Sequence, residues 1–281
     1  MDGHDNRNQA YGELCVMEKR VILVSVPKAG TYLMSQVLSR IGFTDTHLHV
    51  RYDDQAIGIY DFRNAPKKMS MSEQEQRFQT MPLGDSLAKI QSGKFALGHL
   101  PPIPEVKRHL CNDIKIIFLV QDLRDCLISH MRYMISVGVI TEQAHPWCKI
   151  TDERERFKQY LLNYAEKVGP LVHMKLIACW EYDIHNPCQG MEIFKLRFED
   201  LIGANQTMTG MVIKSLAKFL EIEAPQDVKA MLKSVMGAET LTKSDGVTIR
   251  QRYWSHFAEQ WFTERIHDLQ GNNVNEIIGY P

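Results

Sequence analysis

Three short stretches of this 281-residue chain combine residue types that could handle an anionic group and a proton. The first is Pro27-Lys28-Ala29-Gly30-Thr31, between an apolar run and a helix-like pattern. A helix start presents unpaired N–H groups and a partial positive charge, so it is a ready anion site. Gly30 lets backbone approach a ligand closely, Lys28 adds a full charge, and Thr31 adds a hydroxyl donor. The Lys precedes the Gly and no Gly-Lys-Ser/Thr follows, so this is not the Walker A pattern. The second stretch, Gly98-His99-Leu100-Pro101-Pro102, offers an imidazole, a natural general base near pH 7. The third runs from Phe118 through Gln121-Asp122-Leu123-Arg124-Asp125 to Ser129 and His130, with Asp122 able to cap the helix that follows. Taken singly, each has a plainer reading: a strand–helix turn with an exposed Lys, a hydrogen-bonded loop histidine, and a cap with a local salt bridge.

The elements around these stretches decide whether they can meet. Val21 to Val26 is short, β-branched and bounded by Pro27, as a buried parallel strand should be. Similar runs occur at 95–100, 115–120 and 193–198. Leu33, Val37 and Ile41 fall one helical turn apart, and Gly42 stands where that helix should stop. Helical patterns follow at 123–137, at 152–180 with a break at Gly169-Pro170, and near 209–221 and 226–236. An apolar helical face from Trp254 to Leu269 closes the chain. Residues 44–94 read as irregular and polar. Short strands alternating with helices predict an α/β fold, a parallel central sheet flanked by helices. Ligands on such sheets gather at the carboxyl ends of the strands, where all three stretches lie. No repeat or linker divides the chain, so a flexible tail at 1–12 and one domain at 13–281 are expected.

Composition narrows the class. Hydrophobic residues are 44% and charged residues 24%, the balance of a globular protein. A net charge of −1 lacks the basic excess of a chain that coats nucleic acid or an acidic membrane, so neither partner is expected. The apolar runs fall far short of the roughly 20 residues that span a bilayer, and the polar first residues do not look like a secretory signal. Cysteines at 15, 111, 126, 148, 179 and 188 form no CxxC and read as reduced thiols of a cytoplasmic protein. His47-Leu48-His49 is at most half a metal site, so no metal is expected.

Together the three stretches resemble the sulfotransferases that use 3′-phosphoadenosine 5′-phosphosulfate (PAPS), a P-loop-containing α/β family. Its 5′-phosphosulfate loop matches Pro27 to Thr31, its Thr-His-Leu-Pro segment matches Gly98 to Pro101, and its 3′-phosphate segment aligns with 121–129 without a gap. A later aromatic-Glu-Asp matches Phe198-Glu199-Asp200, so the resemblance covers roughly 21–262 in order. It implies Lys28 and His99 as catalytic residues. It also implies a donor site from Lys28, Ala29, Gly30, Thr31, Tyr32, Gln121, Ser129 and Phe198, with Arg250 and Arg252 as candidates on the 3′-phosphate. The reaction implied is transfer of a sulfuryl group from PAPS to a hydroxyl or amine of a small-molecule acceptor, releasing PAP.

The departures are Gln121 for the usual Arg, Leu123 for the usual Pro, and Tyr32 and Leu33 for a Thr and an adenine-stacking Trp. The family's C-terminal dimer motif has no clear counterpart, which leaves the oligomeric state open. Aromatic and acidic residues in 44–94 and 131–150 (Tyr52, Asp53, Asp54, Tyr60, Asp61, Phe62, Tyr133, Glu142, Trp147) suit a compact polar or cationic acceptor. A P-loop kinase would want the missing Gly-Lys-Ser/Thr loop. A catalytically weakened PAP-binding protein of the same fold remains the alternative, because Gln121 removes a charge from the donor site.

Overall fold

The computed structural model describes residues 19–51, 57–59, 79–110, 114–188, 190–202, 206–235 and 247–281. The tail expected at 1–12 and the residues Tyr52, Asp53, Asp54, Tyr60, Asp61 and Phe62 lie outside them. Strands β1 (Arg20–Ser25), β2 (Thr44–Arg51), β5 (Lys94–His99), β6 (Ile114–Val120) and β7 (Glu192–Arg197) form one parallel sheet in the order β2-β5-β1-β6-β7. The short strands β3 (Ile57–Ile59) and β4 (Gln79–Met81) pair antiparallel as a separate ribbon.

Val21 to Val24 in β1 and Ile116 to Val120 in β6 have no solvent exposure, because the central strands are covered on both faces. Fully burying each such side chain contributes about 1.5–3 kcal/mol. Helix α1 (Thr31–Arg40) buries Leu33, Met34, Val37 and Leu38. Beyond it the chain reverses at Gly42, whose φ of 108° favours glycine. Two short helices, α2 (Leu83–Ala88) and α3 (Pro104–Leu110), precede α4 (Leu123–Ser136). The long helical stretch breaks at Gly169, where φ is 69°, and resumes over Pro170–Ala178.

Two expectations need correction. Thr44–Arg51 is not irregular: it is an edge strand, polar because only Leu48, His49 and Val50 are buried, with a register shift between Asp45 and His49. The face expected from Trp254 to Leu269 is a helix only over His256–Arg265; Trp254 precedes it, Leu269 lies beyond it fully exposed, and a short last helix, Val274–Ile277, follows. No helix among the described residues is long and apolar enough to cross a membrane.

Candidate active site

The carboxyl ends of β1, β5, β6 and β7 carry, in turn, the 27–31 loop, His99, Gln121 and Phe198. Lys28 is held at φ 74° and Gly30 at φ 91°, both in the left-handed region. That is ordinary for glycine and strained for lysine, so the loop is shaped by its surroundings rather than by local preference. Gly30 is required twice over. A Cβ there would lie 2.4 Å from Cδ2 and Cε2 of the Phe198 ring, which packs against the loop. No side chain caps the N-terminus of α1. Lys28 Nζ sits 4.0 Å from the centre of the Tyr133 ring, and burial pulls its pKa down to about 8.

His99 is tied into the same loop. Its Nδ1–H donates to the Ser25 carbonyl at 2.7 Å, and Ser25 Oγ is 2.7 Å from Thr31 Oγ1. A carbonyl only accepts, so the proton is on Nδ1 and the lone pair on Nε2. Burial first, then the neighbouring His49, keeps the His99 pKa well below its ordinary value, so the ring is neutral at pH 7. The His49 ring lies 4.7 Å from His99 and 6.4 Å from Tyr32. Behind the strand end, Trp180 donates its indole N–H to the Leu100 carbonyl at 2.7 Å and fixes the turn after His99.

At the end of β6, Gln121 is buried and α4 begins. The first amides of α4 already have partners. Asp122 accepts from the Arg124 N–H at 2.9 Å, and Asn275 Oδ1 accepts from the Leu123 N–H at 3.0 Å. Arg250 reaches this point, bonding Asp125 at 2.8 and 2.6 Å and Asp122 at 2.9 Å. Arg252 does not join it. Two residues along a helix turn a side chain about 200° away, and Arg252 pairs with Glu153 instead. Arg124 shares Asp122 with Arg250, at 3.4 Å, and is otherwise bound by Glu259 at 3.2 and 3.1 Å and the Pro281 carbonyl at 2.7 Å. Ser129 is half-buried on α4, beside His130. His130 is buried against the Tyr160 hydroxyl at 2.8 Å, and burial takes its pKa down to about 3.

Thus Lys28, Ala29, Gly30, Thr31, Tyr32, His99 and Phe198 meet around one loop, while Gln121 and Arg250 mark a second point at the start of α4. Sequence reasoning missed Ser25, which joins base to loop, and weighed His49 only as half a metal site, without the strand that sets it beside His99. A Ser closing an otherwise apolar strand was the available signal. No group of three or more metal-ligating side chains occurs among the described residues.

The carboxyl edge of the parallel sheet thus gathers a loop with an uncapped helix start, a buried lysine and a neutral imidazole. The sulfotransferase-domain family model matches residues 18–249, and the chain belongs to the sulfotransferase family. No curated protein sequence matches the chain significantly. A solved structure of retinol dehydratase with androsterone and the inactive cofactor PAP is 15% identical, over 90% of this chain and 82% of that one, with a TM-score of 0.51. Another, with retinol and PAP, is 15% identical over 90% and 83%, with a TM-score of 0.50. Mouse sulfotransferase SULT7A1 complexed with PAP is 17% identical over 93% and 88%, with a TM-score of 0.45. At these identities the likeness is one of fold.

Proposed function

We propose that this chain transfers a sulfuryl group from PAPS to a hydroxyl or amine of a small-molecule acceptor, with His99 as general base. The observation that carries the reading is the linkage of His99, through Ser25, to Thr31 in the anion-holding loop. PAPS supplies the sulfuryl group and leaves as PAP. The loop suits such a group: the open α1 N-terminus, the close backbone at Gly30 and the Lys28 charge all favour a phosphate oxyanion. Lys28 would stabilise the charge that grows on the leaving phosphate, and Thr31 would hold the phosphosulfate. Nε2 of His99 would accept the acceptor's proton as the nucleophile attacks. Tyr32 and Phe198 would border the nucleotide, Gln121 and Ser129 would donate to the 3′-phosphate, and Arg250 would supply its cation.

The test is nucleotide selectivity. PAP should raise the melting temperature at micromolar concentration without magnesium, and ATP should not match it. A shift with ATP alone, dependent on magnesium, would place the chain among kinases and defeat the proposal. A second reading, a PAP-binding protein with weakened catalysis, is favoured by the neutral Gln121 and by the commitment of Arg250 to two aspartates. Bound PAP without sulfuryl transfer would select it.

A further inference from the structure

We infer that Asn275 and Tyr280 are positioning residues for the donor nucleotide. They tie the turn that carries Asp122 to the strand end that carries Phe198, and so fix the separation of the two points a nucleotide must span. The inference rests on the sulfotransferase reading and adds to it two residues that touch no nucleotide.

Asn275 lies in the short helix Val274–Ile277 and has no solvent exposure, a rare place for an amide side chain. Both ends of that amide are used. Its Oδ1 accepts from the Leu123 N–H at 3.0 Å, across 152 positions of sequence, and its Nδ2 donates to the Tyr280 carbonyl at 3.2 Å. Leu123 is the first residue of α4, and the opening amides of a helix have no partner within it. Arg124, next along, donates to the Pro281 carbonyl at 2.7 Å and to Asp122 at 3.4 Å. Asp122 in turn holds Arg250 at 2.9 Å. Two bonds from the segment 275–281 therefore converge on the turn that carries Gln121, Asp122 and, through Asp122, Arg250.

The second attachment is at the end of β7. The Tyr280 hydroxyl donates to the Glu199 carboxylate, and the Arg197 guanidinium stands 4.4 Å from the centre of the Tyr280 ring. Arg197 and Glu199 flank Phe198, whose ring packs on Gly30 in the anion loop. The two attachments form one link, because the Tyr280 N–H also donates to the Asn275 carbonyl at 2.9 Å. A ligand held at both points binds well only when their separation fits it. Asn275 thus acts on the side of Arg250, and Tyr280 on the side of Phe198.

The test is calorimetric titration of PAP and AMP into Asn275→Leu, Tyr280→Phe, Arg250→Ala and the double variant Asn275→Leu/Arg250→Ala. Leucine keeps the size of Asn275 and removes both its bonds; phenylalanine keeps the Tyr280 ring and removes only the bond to Glu199. Asn275→Leu should weaken PAP by about fivefold to tenfold and spare AMP within about twofold. In the Arg250→Ala background the same change should cost less than about twofold, since both act on one phosphate contact. Tyr280→Phe should weaken PAP and AMP alike, by about threefold. A residue that only stabilises the fold would lower the melting temperature without changing the preference for PAP over AMP. That result would overturn the inference, and so would losses from Asn275→Leu and Arg250→Ala that simply multiply. Should Asn275→Leu fail to fold, Tyr280→Phe decides: unaltered binding of both nucleotides, or a loss confined to PAP, defeats the link. A chain that PAP does not stabilise before any substitution sinks the sulfotransferase reading itself.

Discussion

Lys28 is a cation kept where cations are disfavoured. Its backbone is in the left-handed region, its ammonium lies over the Tyr133 ring, and burial brings its pKa to about 8. An anion bound beside it must raise that pKa again, because an opposite charge favours the charged form. Between the free and bound values, binding therefore takes up a proton. PAP binding should be nearly independent of pH below 8 and weaken by up to tenfold per pH unit above it. Calorimetry in two buffers of different ionisation enthalpy should find little proton uptake at pH 7 and close to one proton at pH 9. Uptake equal at both values would remove Lys28 from the donor site. The loop residues and His99 were legible in sequence because each belongs to a short local pattern. Ser25 was not: its bond to His99 spans 74 positions, and only the β1–β5 pairing brings the two together.

At the level of elements, the β1–α1 turn depends on Gly30 and the α4 start on its capping groups. Gly30→Ala must place a Cβ 2.4 Å from the Phe198 ring at a φ that alanine rarely adopts. The expected result is a melting temperature lower by several degrees and PAP binding weakened at least tenfold, with Gly30→Ala/Phe198→Ala recovering part of the stability. If the single substitution leaves both quantities unchanged, the ring does not close over the loop. At α4, Leu123 and Arg124 spend their amides on Asn275 and Asp122, so charge for a 3′-phosphate must come from side chains.

Arg250 is aimed at that point and Arg252 is not. Arg250→Ala should weaken PAP by roughly tenfold or more while sparing AMP, which lacks the 3′-phosphate, and Arg252→Ala should spare both. Gln121→Arg should tighten PAP by roughly tenfold and make its binding more salt-sensitive. Equal losses of PAP and AMP in Arg250→Ala would move the 3′-phosphate elsewhere. The helix 247–253 was visible only as a loose match in sequence, because the aspartates that choose between its arginines lie on α4. Strand β2 escaped notice for a related reason. As an edge strand it needs few apolar residues: Thr44, Thr46, Leu48 and Val50 do alternate with Asp45, His47, His49 and Arg51, but only two of the four are apolar, which leaves the period-two signal weak.

Over the whole molecule, four of the five strands of the sheet and their burial follow from apolar runs in the sequence, while the order β2-β5-β1-β6-β7 and the cost carried by the buried histidines are visible only in three dimensions. His99, His130 and His173 are each held below their ordinary pKa, foremost by burial, and His130 falls to about 3. A group with a depressed folded pKa stays neutral in the fold and protonates first in the unfolded chain. For His130, then, stability rises with pH between about 3 and 6.5 and is lost as pH falls below 6.5, by up to about 1.4 kcal/mol per pH unit, and His99 and His173 act in the same direction. Urea midpoints at pH 7.5 and 5.5 should show the loss, and His130→Phe should reduce the difference. A chain as stable at 5.5 as at 7.5 would contradict these buried neutral rings.

The most direct measurement is single-turnover sulfuryl transfer by His99→Ala, made alongside its PAP dissociation constant. With Nε2 of His99 as the base, transfer falls by ~10²–10⁴-fold while PAP binding stays within about twofold of the unaltered chain. Transfer at a near-normal rate would contradict the role of His99, and with it the central link from base through Ser25 to the anion loop.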